Sequence, residues 1–337
     1  MSGIIKIGDD DMYKPQFKVT SKMLSLAISI TEKIGKISSF QSLKRMPILR
    51  KNNKIKSIHS SLAIEANSLS MTEVRDVIDG KLVLGPHKEI QEVKNAYKAY
   101  EMIKEFNGFS EQDLLKAHGI LTYLLTEDSG KYRKHGEGVF DGDTLIFVAP
   151  PENMVSSLMK NLFEWLRNDD ETPILIKSCI FHYELVFIHP FSDGNGRVAR
   201  LWHNVLLNSW NKNFEYLPIE SRIYQYQNEY YSKIDQCHKN GNSNEFVEFM
   251  LMIIDESLSE LVEKAYKESK NISEQVNKLL DAMEHDIPYS ANELLKLLNI
   301  KTKETLRASY LNPAIENGLI RMTMPDKPNS KNQRYIK

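Results

Sequence analysis

The chain has 337 residues, which is long enough for one large domain and a smaller one. Hydrophobic residues make up 41% and charged residues 26%, a composition typical of a folded protein and not of a disordered one. Lys and Arg number 44 against 45 Asp and Glu. A net charge this close to zero gives no sign of a general electrostatic attraction to nucleic acids or membranes.

Cysteine usage and hydropathy indicate the compartment. The two cysteines provide neither a disulfide framework nor a metal-ligand spacing. The N-terminus carries acids where a signal peptide has a basic region, and no apolar run reaches the roughly 20 residues that span a bilayer. We therefore expect a cytoplasmic protein with no membrane segment.

Hydrophobic periodicity predicts a mainly α-helical fold. The expected helices cover residues 22–37, 54–66, 87–106, 111–125, 152–167, 221–239 and 243–270. Residues 174–188 are apolar on nearly every face, which is typical of a helix surrounded by others. A buried strand pair is the alternative for that segment, but its length favours a helix.

Two segments break the helical pattern. Residues 138–149 alternate and contain an Asp141-Gly142 pair, which predicts a short β-hairpin that ends at Pro150-Pro151. Residues 271–337 begin a different module, in which Ser290 to Glu293 has the spacing of a capping box. A second helix from Thr302 and strands at 319–323 and 334–337 would follow, in the order of a winged-helix module.

The segment from His189 to Arg200 reads His-Pro-Phe-Ser-Asp-Gly-Asn-Gly-Arg-Val-Ala-Arg and connects two apolar helices. Gly194 and Gly196 let the backbone turn and come close to a ligand. The free N–H groups in the first turn of the next helix can hold an anion, and Arg197 adds a guanidinium beside it.

The remaining polar residues of this segment complete a site for phosphoryl or nucleotidyl transfer. Arg200 lies three residues after Arg197, on the same helix face. Asp193 is placed to hold Mg²⁺ against phosphate oxygens, and a neutral His189 can accept a proton from an attacking hydroxyl. A capping histidine and solvated arginines would explain each residue alone, but packing does not explain their density within one segment.

This segment resembles the signature of the Fic family, His-x-Phe-x-Asp/Glu-Gly-Asn-Gly-Arg-x-x-Arg, at every fixed position, and the resemblance extends over residues 57–258. It implies a Fic helical bundle with a β-hairpin flap, and transfer of AMP from ATP to a Ser, Thr or Tyr hydroxyl of a target protein. The resemblance implies that His189 is the base, that Asp193 binds Mg²⁺ and that Tyr231 lies beside the nucleotide. The implied phosphate cradle consists of Gly194, Asn195 and Gly196, with Arg197 at the β-phosphate and Arg200 at the γ-phosphate. The implied target-docking flap contains Phe147 and Val148.

The segment Ser61-Leu62-Ala63-Ile64-Glu65 resembles the inhibitory motif of Fic proteins, Ser/Thr-x-x-x-Glu-Gly/Asn. Ser61 and Glu65 share a helix face, and the carboxylate could pair with Arg200 in the space of the γ-phosphate. Ala66 departs from the motif, since it stands where the pattern has Gly or Asn, although Asn67 follows. Alanine does not adopt the positive φ expected at such a helix end cheaply. The alternative is that Glu65 is a solvated residue at a helix end.

The resemblance implies three parts: an N-terminal region over 1–110 with the inhibitory helix at about 54–67, a catalytic core over 111–270, and the winged-helix-like module over 271–337. Ten Lys/Arg against eight Asp/Glu in that module are a weak footprint for DNA, so we favour a protein-interaction role there. The expected partners are ATP, a target protein at the flap, the chain itself through self-modification, and a second copy in a homodimer.

Two alternatives remain open at this stage. The same fold could use another phosphate-containing donor or remove AMP. The chain could instead be a winged-helix DNA-binding regulator whose Fic-like domain senses a ligand. No P-loop or protein-kinase signature supports a plain ATPase or kinase.

Overall fold

A computed structural model describes residues 14–39, 47–141, 144–271, 273–284 and 286–337. The chain divides into two compact units, one of Met1–Ile34 and Asn52–Ser259 and the other of Gly35–Lys51 and Glu260–Lys337. Within the described ranges, no helix is both long enough and apolar enough to cross a bilayer.

The fold is mainly α-helical, as predicted. The helices before the C-terminal module are α1 Ser21–Ser39, α2 Pro47–Ile64, α3 Met71–Ile78, α4 His87–Glu101, α5 Glu111–Leu121, α6 Glu152–Asn168, α7 Ile174–Ile188, α8 Asn195–Trp210, α9 Ile219–Gln225, α10 Gln227–Asn240 and α11 Asn244–Asn271, with a 3₁₀ turn at Lys212–Tyr216. A β-hairpin of β1 Gly138–Asp141 and β2 Thr144–Val148 lies between α5 and α6.

Helix α7 forms the centre of the first unit, and the prediction of a helix over 174–188 is confirmed. It pairs with α8 in the most extensive helix contact of the described chain, and α5 and α6 pack against this pair. Phe163, Phe181 and Trp202 are fully buried there. Because both helices of the pair are buried on nearly all faces, the connection between them is held rigidly at their ends.

The predicted single helix over 221–239 is wrong. The chain leaves helical geometry at Tyr226, which separates α9 from α10. No glycine or proline marks this break. In α9, Glu220 is fully buried and accepts hydrogen bonds from Tyr100 Oη and Asn204 Nδ2, each at 2.5 Å. These tertiary contacts anchor the first turn of α9, and such contacts can override the local preference for one continuous helix.

The hairpin is confirmed, with Gly138 opposite Val148 and Val139 opposite Phe147. Part of its predicted Asp-Gly turn lies outside the described residues. Helix α3 was not predicted, although its capping box is visible in the sequence. Ser70 Oγ accepts from the Glu73 N–H, and the Glu73 carboxylate accepts from the Ser70 N–H at 2.8 Å.

The C-terminal module contains α12 Glu274–Ala282, β3 Tyr289–Ser290, α13 Ala291–Leu297, α14 Lys303–Leu306, a π-helical turn Arg307–Leu311, α15 Asn312–Glu316, β4 Arg321–Met322 and β5 Arg334–Ile336. The predicted capping box at Ser290 is confirmed, and the two predicted C-terminal strands pair. A third strand, β3, joins them in the order β3-β5-β4. The π-turn ends two residues before Pro313, whose missing N–H interrupts the regular helix ladder.

Candidate active site

The imidazole of His189 lies directly at the end of α7. His189 caps this helix with a φ of 50°, and its N–H donates to Leu185 O at 3.0 Å. Its Nδ1 lies 3.4 Å from Val186 O, which favours the tautomer with the proton on Nδ1. Burial lowers the pKa of His189 below its ordinary value of 6.5. The imidazole is therefore neutral at physiological pH, with Nε2 able to accept a proton.

The backbone after His189 forms a turn that only glycine fits. Gly194 has a φ of 82°, and a Cβ on it would lie 2.9 Å from Thr122 Cγ2. Helix α8 then begins, with its first helical hydrogen bond from Val198 N to Gly194 O. The N–H groups of Asn195, Gly196 and Arg197 precede that bond and have no intrahelical acceptor, so they are available to hold an anion at the predicted phosphate cradle.

The Asn195 side chain does not face a ligand. Its Oδ1 accepts from Phe191 N at 2.9 Å, and its Nδ2 donates to Phe191 O at 2.6 Å. Asn195 is 3% exposed, so both amide groups are used within the loop. It closes the loop on itself, and only its backbone N–H can contribute to a phosphate cradle.

Arg197 lies between two carboxylates. Its Nη2 donates to Asp193 Oδ1 at 2.7 Å and its Nη1 to Glu92 Oε1 at 3.1 Å. The Nε is buried and has no partner within the residues the structure describes, which leaves a donor for a ligand. Burial opposes ionisation of Asp193, but the Arg197 guanidinium holds the pKa of that carboxyl below its usual value. Asp193 is therefore a carboxylate at neutral pH.

Arg200 is held by α2. Its Nε donates to Ser61 Oγ at 3.1 Å, and its Nη2 donates to Ser61 O at 2.9 Å and Glu65 Oε1 at 2.7 Å. The guanidinium is 1% exposed, whereas the Glu65 side chain is 36% exposed. A Cβ on Gly196 would collide with Glu65 Oε1. The Glu65 carboxylate therefore lies directly over the first turn of α8, where a phosphate would bind.

Helix α2 ends in a Schellman motif that contains an alanine. The N–H groups of Ala66 and Asn67 donate to Ala63 O and Leu62 O at 3.0 and 3.1 Å. Ala66 takes the left-handed position with a φ of 64°, in spite of its Cβ. The sequence pattern expects glycine or asparagine there, and the structure places alanine in the same backbone conformation.

Two further groups hold the end of α2. Asn67 Nδ2 donates to Glu92 Oε2 at 2.8 Å, so Glu92 links this end to Arg197. Tyr231 lies on α10, where its hydroxyl is 3.4 Å from Ile64 O. The predicted nucleotide-side tyrosine thus contacts the last turn of α2.

The predicted flap residues lie on β2. The Phe147 ring stacks on His238 with centroids 4.1 Å apart and lies 5.4 Å from the Phe187 ring. Val148 is 65% exposed. In the described part of the chain, β2 pairs only with β1, so its other edge is not covered by a strand.

Sequence reasoning missed three residues that shape the site: Glu92, His118 and Arg133. The Nε2 of His118 is 2.9 Å from Asp193 O, and its Nδ1 accepts from Gly130 N at 3.0 Å. Burial lowers the pKa of His118 to about 4, so the ring is neutral and supports the loop by hydrogen bonding. All three residues lie far from the motif in sequence, and no local pattern marks them.

The residues fit a magnesium ion that arrives with phosphates and not a preformed metal cage. Among the described residues, no group of three or more His, Cys, Asp or Glu side chains could hold a metal ion. Asp193 offers one carboxylate that is 41% exposed. A single carboxylate beside a phosphate cradle is typical of Mg²⁺ that keeps its waters and binds substrate phosphates.

Two family models match this chain. Residues 108–207 match the Fic/DOC family, and residues 274–336 match the C-terminal domain described as Filamentation induced by cAMP protein Fic-like. A Fic family protein from Desulfovibrio desulfuricans G20, known from its crystal structure, is 40% identical with a TM-score of 0.74. That similarity covers 96% of this chain and 98% of the other.

Curated relatives match over part of their length. The chain is 25% identical over 266 residues to the protein adenylyltransferase fic-1 of Caenorhabditis elegans, covering 75% of this chain and 49% of the relative. It is 34% identical over 151 residues to a probable protein adenylyltransferase of Aquifex aeolicus, covering 44% of this chain and 45% of the relative. The chain thus spans about half the length of the curated relatives it matches.

Proposed function

The chain belongs to the Fic family, and on that premise we propose that it is a protein adenylyltransferase, which moves AMP from ATP to a hydroxyl of a target protein. One observation carries this proposal. A neutral, half-buried His189 ends α7, and six residues later α8 begins with free N–H groups beside two buried arginines. The names of the curated relatives support the same activity.

In the proposed reaction, His189 Nε2 accepts the proton of a Ser, Thr or Tyr hydroxyl. The hydroxyl oxygen bonds to the α-phosphorus of ATP as the bond from that phosphorus to the pyrophosphate oxygen breaks. The first turn of α8, with Arg197 and Arg200, would stabilise the charge that develops on the phosphates. Asp193 would hold Mg²⁺, which when bound neutralises phosphate oxygens.

The structure corresponds in this proposal to an inhibited state. The Glu65 carboxylate accepts a hydrogen bond from Arg200 Nη2 and fills the space above Gly196 that the γ-phosphate would need. Arg197 meanwhile binds the carboxylate of the proposed metal ligand, Asp193. Productive binding of ATP therefore requires the end of α2 to move and Arg197 to exchange Asp193 for a phosphate.

The flap and the C-terminal module complete the proposal. We assign β2 to align a target segment as an added strand, because its second edge is free within the described hairpin and Val148 is exposed. We retain the division into 1–110, 111–270 and 271–337, and the family matches at 108–207 and 274–336 support it. The helix order and three-stranded sheet of the last part support a winged-helix-like module with a protein-binding role.

The decisive experiment compares the Glu65→Gly variant with Glu65→Gly/His189→Ala. Each is incubated with a lysate and α-labelled ATP, and labelled proteins are weighed by mass spectrometry. We expect an AMP adduct with the first variant and none with the second. Parallel incubations with UTP, GTP and CDP-choline identify another donor, and a pre-adenylylated substrate that loses AMP would identify the reverse activity. No covalent product with any donor would refute the transferase.

A further inference from the structure

Arg133 has a role that the catalytic motif does not reveal. It follows α5 in the sequence and is 3% exposed. Its Nε donates to His189 O at 2.7 Å, and its Nη2 donates to Pro150 O at 2.5 Å and Ile188 O at 3.4 Å. Its Nη1 donates to His135 O at 2.7 Å. Four backbone carbonyls thus surround one guanidinium.

These carbonyls belong to parts of the site that are separate in sequence. Ile188 and His189 supply the last carbonyls of α7, where a cation is stabilised by the helix dipole. Pro150 lies two residues after the end of β2. The Arg133 backbone N–H also donates to Pro190 O at 2.9 Å, so side chain and backbone both hold the chain after α7.

We propose that Arg133 is a positioning residue that fixes the backbone of His189 and the exit of strand β2 at a set distance from each other. This inference rests on the proposed function, in which β2 aligns the target hydroxyl and His189 takes its proton. Base and hydroxyl reach each other only if both backbones are held, and a displacement of about 1 Å can lower a rate on the order of a hundredfold.

Two features of His189 support this assignment. Its φ of 50° is costly for a residue with a Cβ and needs an external restraint, which the bond from Arg133 supplies. The positive charge of Arg133 also opposes a second positive charge on the imidazole. Burial is the largest cause of the lowered pKa of His189, and the hydrogen bond with Val186 O and the charges of Glu65 and Asp193 act in the opposite direction.

A lysine could not replace this arginine. The guanidinium is planar and directs its N–H groups in fixed directions, whereas an ammonium is a point charge with three rotatable hydrogens. The Arg133→Lys variant keeps the charge but loses the simultaneous bonds to His189 O and Pro150 O. It therefore separates the positioning role from the electrostatic one.

The activity test uses the Glu65→Gly chain with Arg133→Lys added. We expect kcat for AMP transfer to fall at least about tenfold while the affinity for ATP changes less than about twofold, since Arg133 does not line the phosphate bowl. The matched control is Arg167→Lys, because Arg167 Nη1 also donates to a backbone carbonyl, Phe109 O at 3.1 Å, but at an exposed site. An unchanged kcat, or parallel losses of ATP affinity and thermal stability, would overturn the proposal.

A second measurement does not depend on AMP transfer. Hydrogen exchange of the amides at residues 147–149 in the nucleotide-free protein should accelerate at least about tenfold in Arg133→Lys and remain unchanged in Arg167→Lys. Unchanged exchange at 147–149 would refute the link to β2, even if Glu65→Gly proves inactive and the transferase proposal fails. Arg133→Gln, which keeps an amide donor, serves as the second variant if Arg133→Lys does not fold.

Discussion

Replacing Ala66 by glycine should stabilise the end of α2 and so strengthen the inhibition that we propose for Glu65. Ala66 has a φ of 64° at the left-handed position of the Schellman motif. A left-handed conformation costs an alanine about 1–2 kcal/mol. Glycine avoids this cost but loses about 0.4–1 kcal/mol through the greater freedom of the unfolded chain. The net gain is about 0.5–1 kcal/mol in the free energy of unfolding.

This gain is available only while α2 ends as the structure shows, because a released segment can relax Ala66 to another conformation. The equilibrium between held and released states should therefore shift by about two- to fivefold towards the held state. Self-modification with labelled ATP should fall by the same factor, and the Tm of the nucleotide-free protein should rise by about 1–3 °C.

The matched control is Ala63→Gly, the same substitution three residues earlier inside α2. There glycine should destabilise the helix by about 1 kcal/mol, so the Tm should fall and self-modification should rise. A lower Tm or higher activity in Ala66→Gly, or the same direction of change in both variants, would show that the left-handed alanine carries no strain relevant to inhibition.

Three further outcomes are expected. Because the lowered pKa of His189 keeps the base neutral, transfer by Glu65→Gly should be level across neutral pH and fall only as pH drops below 6.5; a rate still rising above that value would contradict a buried neutral base. Adding Gly196→Ala to that variant should weaken ATP binding at least about tenfold in a calorimetric titration, since a methyl group would project into the phosphate cradle. Unchanged affinity would place the phosphates elsewhere. In the C-terminal module, Leu280→Ala should lower the free energy of unfolding by about 2–5 kcal/mol in urea, whereas Leu297→Ala, at a side chain that is 54% exposed, should change it little.

Local sequence signals account for most of the fold. Residues 174–188 could be assigned to a central helix, because a long segment that is apolar on every face must be surrounded by other elements. Helix α7 has the predicted bounds. The break at Tyr226 could not be assigned, because no glycine or proline marks it. The start of α9 is anchored by Glu220 against Tyr100, which is distant in sequence, and such tertiary contacts are not visible in a local pattern. Helix α3 was readable from its capping box at Ser70, but eight residues give a weak periodic signal.

In the candidate site, too, the contiguous residues could be predicted from the sequence and the distant ones could not. The segment from His189 to Arg200 is contiguous, so its glycines, arginines and carboxylate predict one another's proximity. Arg133 and His118 contact this segment through its backbone carbonyls. Every residue has a backbone carbonyl, so the residue types in the segment do not indicate that these contacts exist. Glu92 approaches from α4 only once the helices have packed. Such residues become visible from coordinates alone.

The ion pair between Arg200 and Glu65 affects the stability of the fold when no nucleotide is bound. An arginine that is 1% exposed, such as Arg200, would destabilise the fold if it lacked an anion, and Glu65 provides one. In the proposed reaction, an arriving triphosphate replaces one anion with another, so the interior never holds an uncompensated cation. In this proposal, the free-energy cost of moving the end of α2 sets how readily a triphosphate can replace Glu65 at Arg200.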